Sequence, residues 1–337
     1  MWYLYTNLYY LTLIFGTMLT LTANSWFIAW IGLEVNLLAI MPLMKHLNKK
    51  SPNEAAIKYF MVQAFASSIF LFSSIYTSTL NITDSLEMSM TGSYLICSAL
   101  LMKMGAAPFH FWVPETLTGL NWKMNFIILT WQKMAPMIMI YNTMPNSNHF
   151  TIIIIMSSIV SGILGLNQTC LRKIMAYSSI NHSSWMITAI MNSLIMWATY
   201  FFIYAMINFI LIIIMDKFNI FSIKSMNKLF TVNKTMKFLF MMNFLNLGGL
   251  PPFIGFLPKW LVIMNLIKIK FLLLATILII FTLVTLYFYV RITLSSFSLN
   301  SQESLIIFFK KNSYFHIMLN VLSVIGLLLC TFMTNIF

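Results

Sequence analysis

Asn246-Leu247-Gly248-Gly249-Leu250-Pro251-Pro252-Phe253-Ile254-Gly255-Phe256-Leu257-Pro258-Lys259-Trp260 sits inside an apolar run, 238–266, long enough to cross a bilayer. Proline removes a backbone hydrogen bond and its ring clashes with the preceding turn. A spanning helix broken near its middle, with a lysine beside the break, is therefore expected here. The pattern occurs once more, in the run 92–113, as Met102-Lys103-Met104-Gly105-Ala106-Ala107-Pro108-Phe109-His110-Phe111-Trp112. Unwound backbone at that depth must face protein or a water-filled cavity, because lipid offers it no hydrogen-bond partner. Prolines that merely kink packed helices would explain one break more easily than two with a lysine at each.

The rest of the chain is of the same kind. Sixty per cent of residues are hydrophobic and the mean hydropathy is +0.86, which excludes an ordinary soluble domain. A spanning helix needs about 20 mostly apolar residues. Eleven candidate cores fit, at 3–23, 25–44, 56–78, 92–113, 124–142, 150–168, 174–193, 195–215, 238–266, 271–294 and 314–335. The expected fold is an all-α polytopic membrane protein forming a single membrane domain, 1–337. The two broken helices lie five spans apart, and an odd shift reverses the direction of crossing. Residues 1–145 and 146–297 are thus expected to form two five-helix inverted repeats, with a loop and C-terminal helix in 298–337. Paired broken helices in inverted halves point to a transport site near the midplane.

A net charge of +13 could suggest a nucleic-acid partner, but its distribution does not. Connections after even-numbered spans carry Lys45, Lys49, Lys50 and Lys58; Lys123; Arg172 and Lys173; Lys217, Lys224, Lys228, Lys234 and Lys237; Arg291, Lys310 and Lys311. Connections after odd-numbered spans carry only Lys268 and Lys270, with Asp84 and Glu87 on the same side. By the positive-inside rule the N-terminus and the basic loops face the matrix or cytoplasm, and the C-terminus faces outward. The first run has no basic n-region or small-residue cleavage site and reads as a span rather than a signal peptide. Cys97, Cys170 and Cys330 are isolated, and no histidine pair on one helix suits a haem, so no cofactor is expected. The chain has 28 Met, and only Arg172 and Arg291 beside eighteen Lys. That usage suits an organellar genome with an extra Met codon, or Met used as flexible packing.

Only 8% of residues are charged, yet Glu34, Lys103, Lys133 and Lys259 fall near the middle of apolar runs. A charge at the bilayer centre costs at least ~3 kcal/mol on insertion scales, so such residues usually mark an ion or proton path. A lysine can lose and regain a proton where arginine stays charged. Two unit charges ~4 Å apart at an effective dielectric near ~20 interact by ~4 kcal/mol. Opening or closing a Glu34–Lys103 contact is therefore a candidate proton switch, with Lys133 and His182 as relays and Lys259 as the far terminal site. His182 reads equally as a packed, hydrogen-bonded core residue, and its polar surroundings, Tyr177 to Trp185, as the lining of water or of a polar neighbour. His110 reads equally as a cap on a freed carbonyl. Glu115 reads as a loop anchor at the membrane edge, and Glu54, beside Lys49, Lys50 and Lys58, as part of a solvated or interfacial ion pair.

Three stretches carry a resemblance: Lys103–Glu115 (KMGAAPFHFWVPE), Gln168–Trp185 (QTCLRKIMAYSSINHSSW) and Asn246–Trp260 (NLGGLPPFIGFLPKW). They are similar to signature stretches of the antiporter-like subunits of respiratory complex I and of multisubunit cation/proton antiporters. The likeness runs through nearly the whole chain, and length and residue usage resemble invertebrate, particularly insect, mitochondrial forms. It implies a core membrane-arm subunit that moves protons while electrons pass through other subunits. It also implies that Glu34 and Lys103 are the modulating pair, Lys133 the connecting lysine and Lys259 the lysine of the second broken helix, with His182 on the path between the last two. The implied partners are other membrane-arm subunits and membrane lipids, with no nucleic acid and no direct NADH or quinone binding. The implied location is the mitochondrial inner membrane, N-terminus in the matrix and C-terminus in the intermembrane space. Two alternatives remain: a subunit of a cation/proton antiporter without a redox partner, and a scaffold that transmits conformational change while neighbours pump.

Overall fold

The computed structural model describes residues 2–45, 50–80, 86–143, 147–226, 234–251 and 253–298. The expected last span, 314–335, lies outside these residues, as do Lys49, Asp84, Lys228, Pro252, Lys310, Lys311 and Cys330. Among the described residues the architecture is all-α, apart from an isolated antiparallel bridge between Cys170 and Ser222. The helices are α1 (Trp2–Leu21), α2 (Trp26–Met44), α3 (Lys50–Leu80), α4 (Leu86–Met104), α5 (Trp112–Gly119), α6 (Trp122–Leu129) and α7 (Trp131–Thr143). They continue with α8 (Ser147–Leu166), α9 (Leu171–Asn192), α10 (Leu194–Phe218), α11 (Lys234–Gly248), α12 (Phe256–Lys268) and α13 (Leu272–Ser298). By length and composition α2, α3, α8, α10 and α13 can each cross a membrane.

The chain divides into two compact units, Met1–Ile153 and Ile154–Phe337. In the first, α1 lies along α2, with Gly16 against Asn36 and Gly32 against Thr20. Small residues at such a seam let helix backbones approach closely, which is how packing replaces the hydrophobic effect inside a membrane. Helix α3 packs on α2, α4 and α5, and α4 packs on α7. In the second unit α9 is the inner helix, touching α10, α12 and α13. Its residues from Ile174 to Ile190 are all buried although many are polar. The hydroxyls make that possible: Ser178, Ser179, Ser183, Ser184 and Thr188 each donate to the carbonyl three residues back, at 2.6–2.8 Å. This local bonding satisfies each hydroxyl proton, and Ser178 and Ser179 in addition meet Tyr289 and Tyr204 of the neighbouring helices.

Both expected breaks are present and share one frame. Helix α4 ends with Gly105 at φ +72, and α11 ends with Gly249 at φ +76. Each glycine donates to the carbonyl three residues back, Gly105 to Met102 (3.2 Å) and Gly249 to Asn246 (3.0 Å). Each following residue donates to the carbonyl five back, Ala106 to Leu101 (3.1 Å) and Leu250 to Leu245 (3.4 Å). This paired closure of a helix end requires a left-handed residue, hence glycine. Helix resumes at Trp112 and Phe256, each seven residues beyond its glycine.

Two expectations need correction. The first broken helix is not contained in 92–113; its second half, α5, reaches Gly119. The run 124–142 is not one helix either: it divides at Thr130 into α6 and α7. Pro136 has no N–H for the carbonyl of Gln132, which loosens the turn before it. Thr130 absorbs the mismatch, its N–H and hydroxyl both bonding Phe126 O, at 3.0 and 2.7 Å.

The frame makes Gly249 intolerant of a side chain. A Cβ there would lie 2.9 Å from Lys259 Cδ, in a left-handed backbone that costs an L-residue about 1–2 kcal/mol. Gly249→Ala is expected to lower the thermal aggregation midpoint of the chain in detergent-solubilised membranes by several degrees. An unchanged midpoint would contradict this account of the break.

Candidate functional site

In the first unit the site forms where α4 stops. Lys103 stands in the last turn of α4 and is 5% exposed. It borders a small cavity, about 10 Å³ open to a water's centre, with Asn36 and Leu37 of α2, Tyr59 and Gln63 of α3, and Gln132 and Pro136 of α7. That volume suits about one water. The carbonyls released by the break are taken up: Trp112 Nε1 donates to Met102 O (3.1 Å) and Gln63 Nε2 to Lys103 O (3.2 Å). The Tyr59 hydroxyl donates to Gln132 Oε1 (3.4 Å), and its ring meets Trp112 edge-on at 5.6 Å. Glu34, half-buried on α2, is within electrostatic reach of Lys103 without an ion pair inside 4.0 Å. The pair is open.

Lys133 is buried in the first turn of α7, directly after Gln132. His110 Nδ1 meets Pro108 O at 3.2 Å, so His110 does cap a carbonyl freed by the break. Glu115 anchors α5 to α3 through Lys58, at 2.7 Å. Glu54 acts on the same ammonium at longer range. Lys58 and Glu115 are both more than half exposed, so their bond positions α5 more than it stabilises it.

In the second unit the lysine stands on the other side of the frame. Lys103 precedes its glycine by two residues, whereas Lys259 follows its glycine by ten, where the first frame has Glu115. From the first turn of α12 Lys259 reaches back across the break and donates to the last carbonyls of α11, Gly248 O (2.8 Å) and Leu247 O (3.3 Å). The partial negative charge of that helix end suits the ammonium. Asn246 Oδ1 accepts from Gly255 N–H (2.7 Å) and fastens the two halves from the opposite direction. His182 lies next to this junction. It lines a small cavity with Tyr200, Tyr204, Asn246, Leu247 and Pro258, and its Nδ1 meets the Tyr200 hydroxyl at 2.9 Å. It is thus hydrogen-bonded and packed, and at the same time faces the break that carries Lys259.

With this geometry in view, the comparisons are informative. The family model of the NADH:quinone oxidoreductase/Mrp antiporter transmembrane segment matches residues 23–285. The chain belongs to that family. It is 47% identical to NADH-ubiquinone oxidoreductase chain 2 of Anopheles gambiae over 88% of this chain and 87% of that one. It is 43% identical to the protein of the same name from Aedes aegypti, over 96% of each. A chain of respiratory complex I from Thermus thermophilus superposes with a TM-score of 0.82, covering 96% of this chain and 78% of that chain at 20% identity. At that identity the likeness concerns the fold.

Within this antiporter-family fold, each lysine singled out from sequence lies within a turn of a helix end buried in the protein: α4 for Lys103, α7 for Lys133, α12 for Lys259. Sequence reasoning missed the neutral groups that hold these ends together: Tyr59, Gln63, Gln132, Tyr200 and Asn246. Formal charge drew attention away from uncharged amides and phenols in equally apolar runs. Trp112→Phe removes one of the two donors to Met102 O and leaves the Gly105 N–H, a loss of about 0.5–1.5 kcal/mol for the hydrogen bond. We expect faster proteolysis of the α4–α5 junction in detergent, measured against Trp260→Phe, whose exposed ring makes no such bond. Equal rates for the two would remove Trp112 from the role.

Proposed function

We propose that this chain is subunit 2 of the proton-pumping NADH:ubiquinone oxidoreductase, a core part of its membrane arm, set in the mitochondrial inner membrane. The observation that carries this reading is a buried lysine at a broken helix near a small internal cavity, found once in each unit. The names of the insect relatives support the assignment to that enzyme. The chain moves protons, and electrons pass through other subunits. Lys103 exchanges a proton as its distance from Glu34 changes, Gln132 and the neighbouring Lys133 carry it onward, and His182 with Tyr200 leads to Lys259 as the terminal site. Residues 1–145 and 146–297 are read as inverted repeats, each supplying one broken helix. The basic loops set the N-terminus in the matrix and the C-terminus in the intermembrane space. Other membrane-arm subunits and lipids surround it.

Lys103→Met is expected to abolish proton-coupled turnover in an assembled complex, and Glu34→Gln to reduce it less, because a hydrogen-bonding group survives. Proton uptake and NADH oxidation measured together in sealed vesicles test both; undiminished pumping in Lys103→Met would overturn the assignment. The family also includes Mrp antiporters. Native electrophoresis with an in-gel NADH dehydrogenase stain separates the two readings. Co-migration with a large NADH-oxidising band supports the respiratory enzyme, and a smaller NADH-inactive assembly supports the antiporter.

A further inference from the structure

Lys268 and Lys270 are the two basic residues that the loop-charge pattern assigns to the otherwise uncharged or acidic side of the membrane. The structure gives Lys268 a setting. It closes α12 and lines a cavity of about 330 Å³ together with Ser193, Ile195, Met196, Trp260 and Met264. Ser193 separates α9 from α10, so three helix ends converge on this rim: the C-terminal ends of α9 and α12 and the N-terminal end of α10. Asn265 Nδ2 donates to Met196 Sδ and ties α12 to α10 beside the cavity.

The wall changes character with depth. Trp260, Met264 and Lys268 follow one another at intervals of four residues and therefore form one stripe along α12. Its charge lies at the helix end and its apolar part runs inward, with Ile195 and Met196 on the α10 side. Trp260 and Met264 are 37% and 44% exposed, and no carboxylate lines the cavity among the described residues. At the rim Ser193 Oγ takes the Met196 N–H at 3.3 Å, which leaves the hydroxyl proton free to donate outward. The first amides of α10 have no partner within the helix. Lys270 follows two residues on, in a left-handed turn at φ +69, and adds a second positive charge just beyond the helix end.

A cation and helix-end donors above an exposed apolar stripe match an amphiphile with an anionic head. We infer that this cavity binds an anionic phospholipid, its phosphate at Lys268 and Ser193 and one acyl chain along Met264, Trp260 and Ile195. A zwitterionic lipid brings its own cation to a rim that is already positive and fits it less well. The site is separate from the broken-helix lysines and holds for either assembly in which the chain works.

The test uses the intact detergent-solubilised complex and a photoreactive phosphatidylglycerol, with labelled peptides mapped by mass spectrometry. Labelling is expected on the segments around Ile195 and Leu261–Met264. Unlabelled phosphatidylglycerol should compete, and neither phosphatidylcholine nor inorganic phosphate should. Lys268→Gln should weaken labelling about ten-fold, the loss of one charge-assisted phosphate contact, and Lys268→Arg should restore it. Equal competition by phosphatidylcholine would reduce the site to ordinary lipid contact and overturn the proposal. Full competition by inorganic phosphate would make it an anion site without a lipid, and absence of label in the wild-type complex would indicate a protein segment in the cavity; either overturns it too. Should Lys268→Gln fail to assemble, the competition series on the wild-type complex decides alone.

Discussion

A backbone carbonyl in the interior of a membrane protein must be given a partner by the protein itself, because the surrounding hydrocarbon has none to give. Each helix break releases several at once. Much of what is polar in this chain can be understood as the answer to that demand. Gly105 and Gly249 close the helix ends, Trp112 and Gln63 take Met102 and Lys103 carbonyls, and Lys259 takes those of Leu247 and Gly248. The breaks are tolerated because the surrounding helices were built to receive them.

The two breaks show how one backbone frame accepts different chemistry. The glycine positions, the paired closing bonds and the seven-residue interval coincide. The side chains do not. In the first frame an indole and an amide occupy the freed carbonyls, so the Lys103 ammonium is left to a polar cavity and to Glu34. In the second frame the lysine itself occupies them. The same residue type is thus a resident of a cavity in one unit and a clasp between helix halves in the other.

How much of this was legible in the sequence follows from the range of each interaction. The two glycine- and proline-marked breaks were legible, since their cause lies within a dozen consecutive residues. The break at Thr130 was not, because its cause, Pro136, sits six residues downstream and Thr130 itself carries no signal. The burial of Lys103, Lys133, Lys259 and His182 was legible from apolar flanks alone. The company they keep was not: Tyr59, Gln63 and Gln132 meet Lys103 only after three helices have packed, and neutral amides leave no mark on a charge count. His182 reads two ways in the sequence, and its bond to Tyr200 satisfies the packed reading.

The contact between Lys259 and the end of α11 has a mechanical consequence. The ammonium spans the gap in the helix as a tie rod, pulling α12 towards the carbonyls of Leu247 and Gly248. Its grip comes from a full positive charge against a helix end of opposite sign, and a neutral amine keeps the hydrogen bonds but loses that attraction. Were the ammonium to give up its proton, the joint would slacken, and regaining it would draw the halves together. A change of one charge at this contact would thus be felt as a change of tension between the two helix halves.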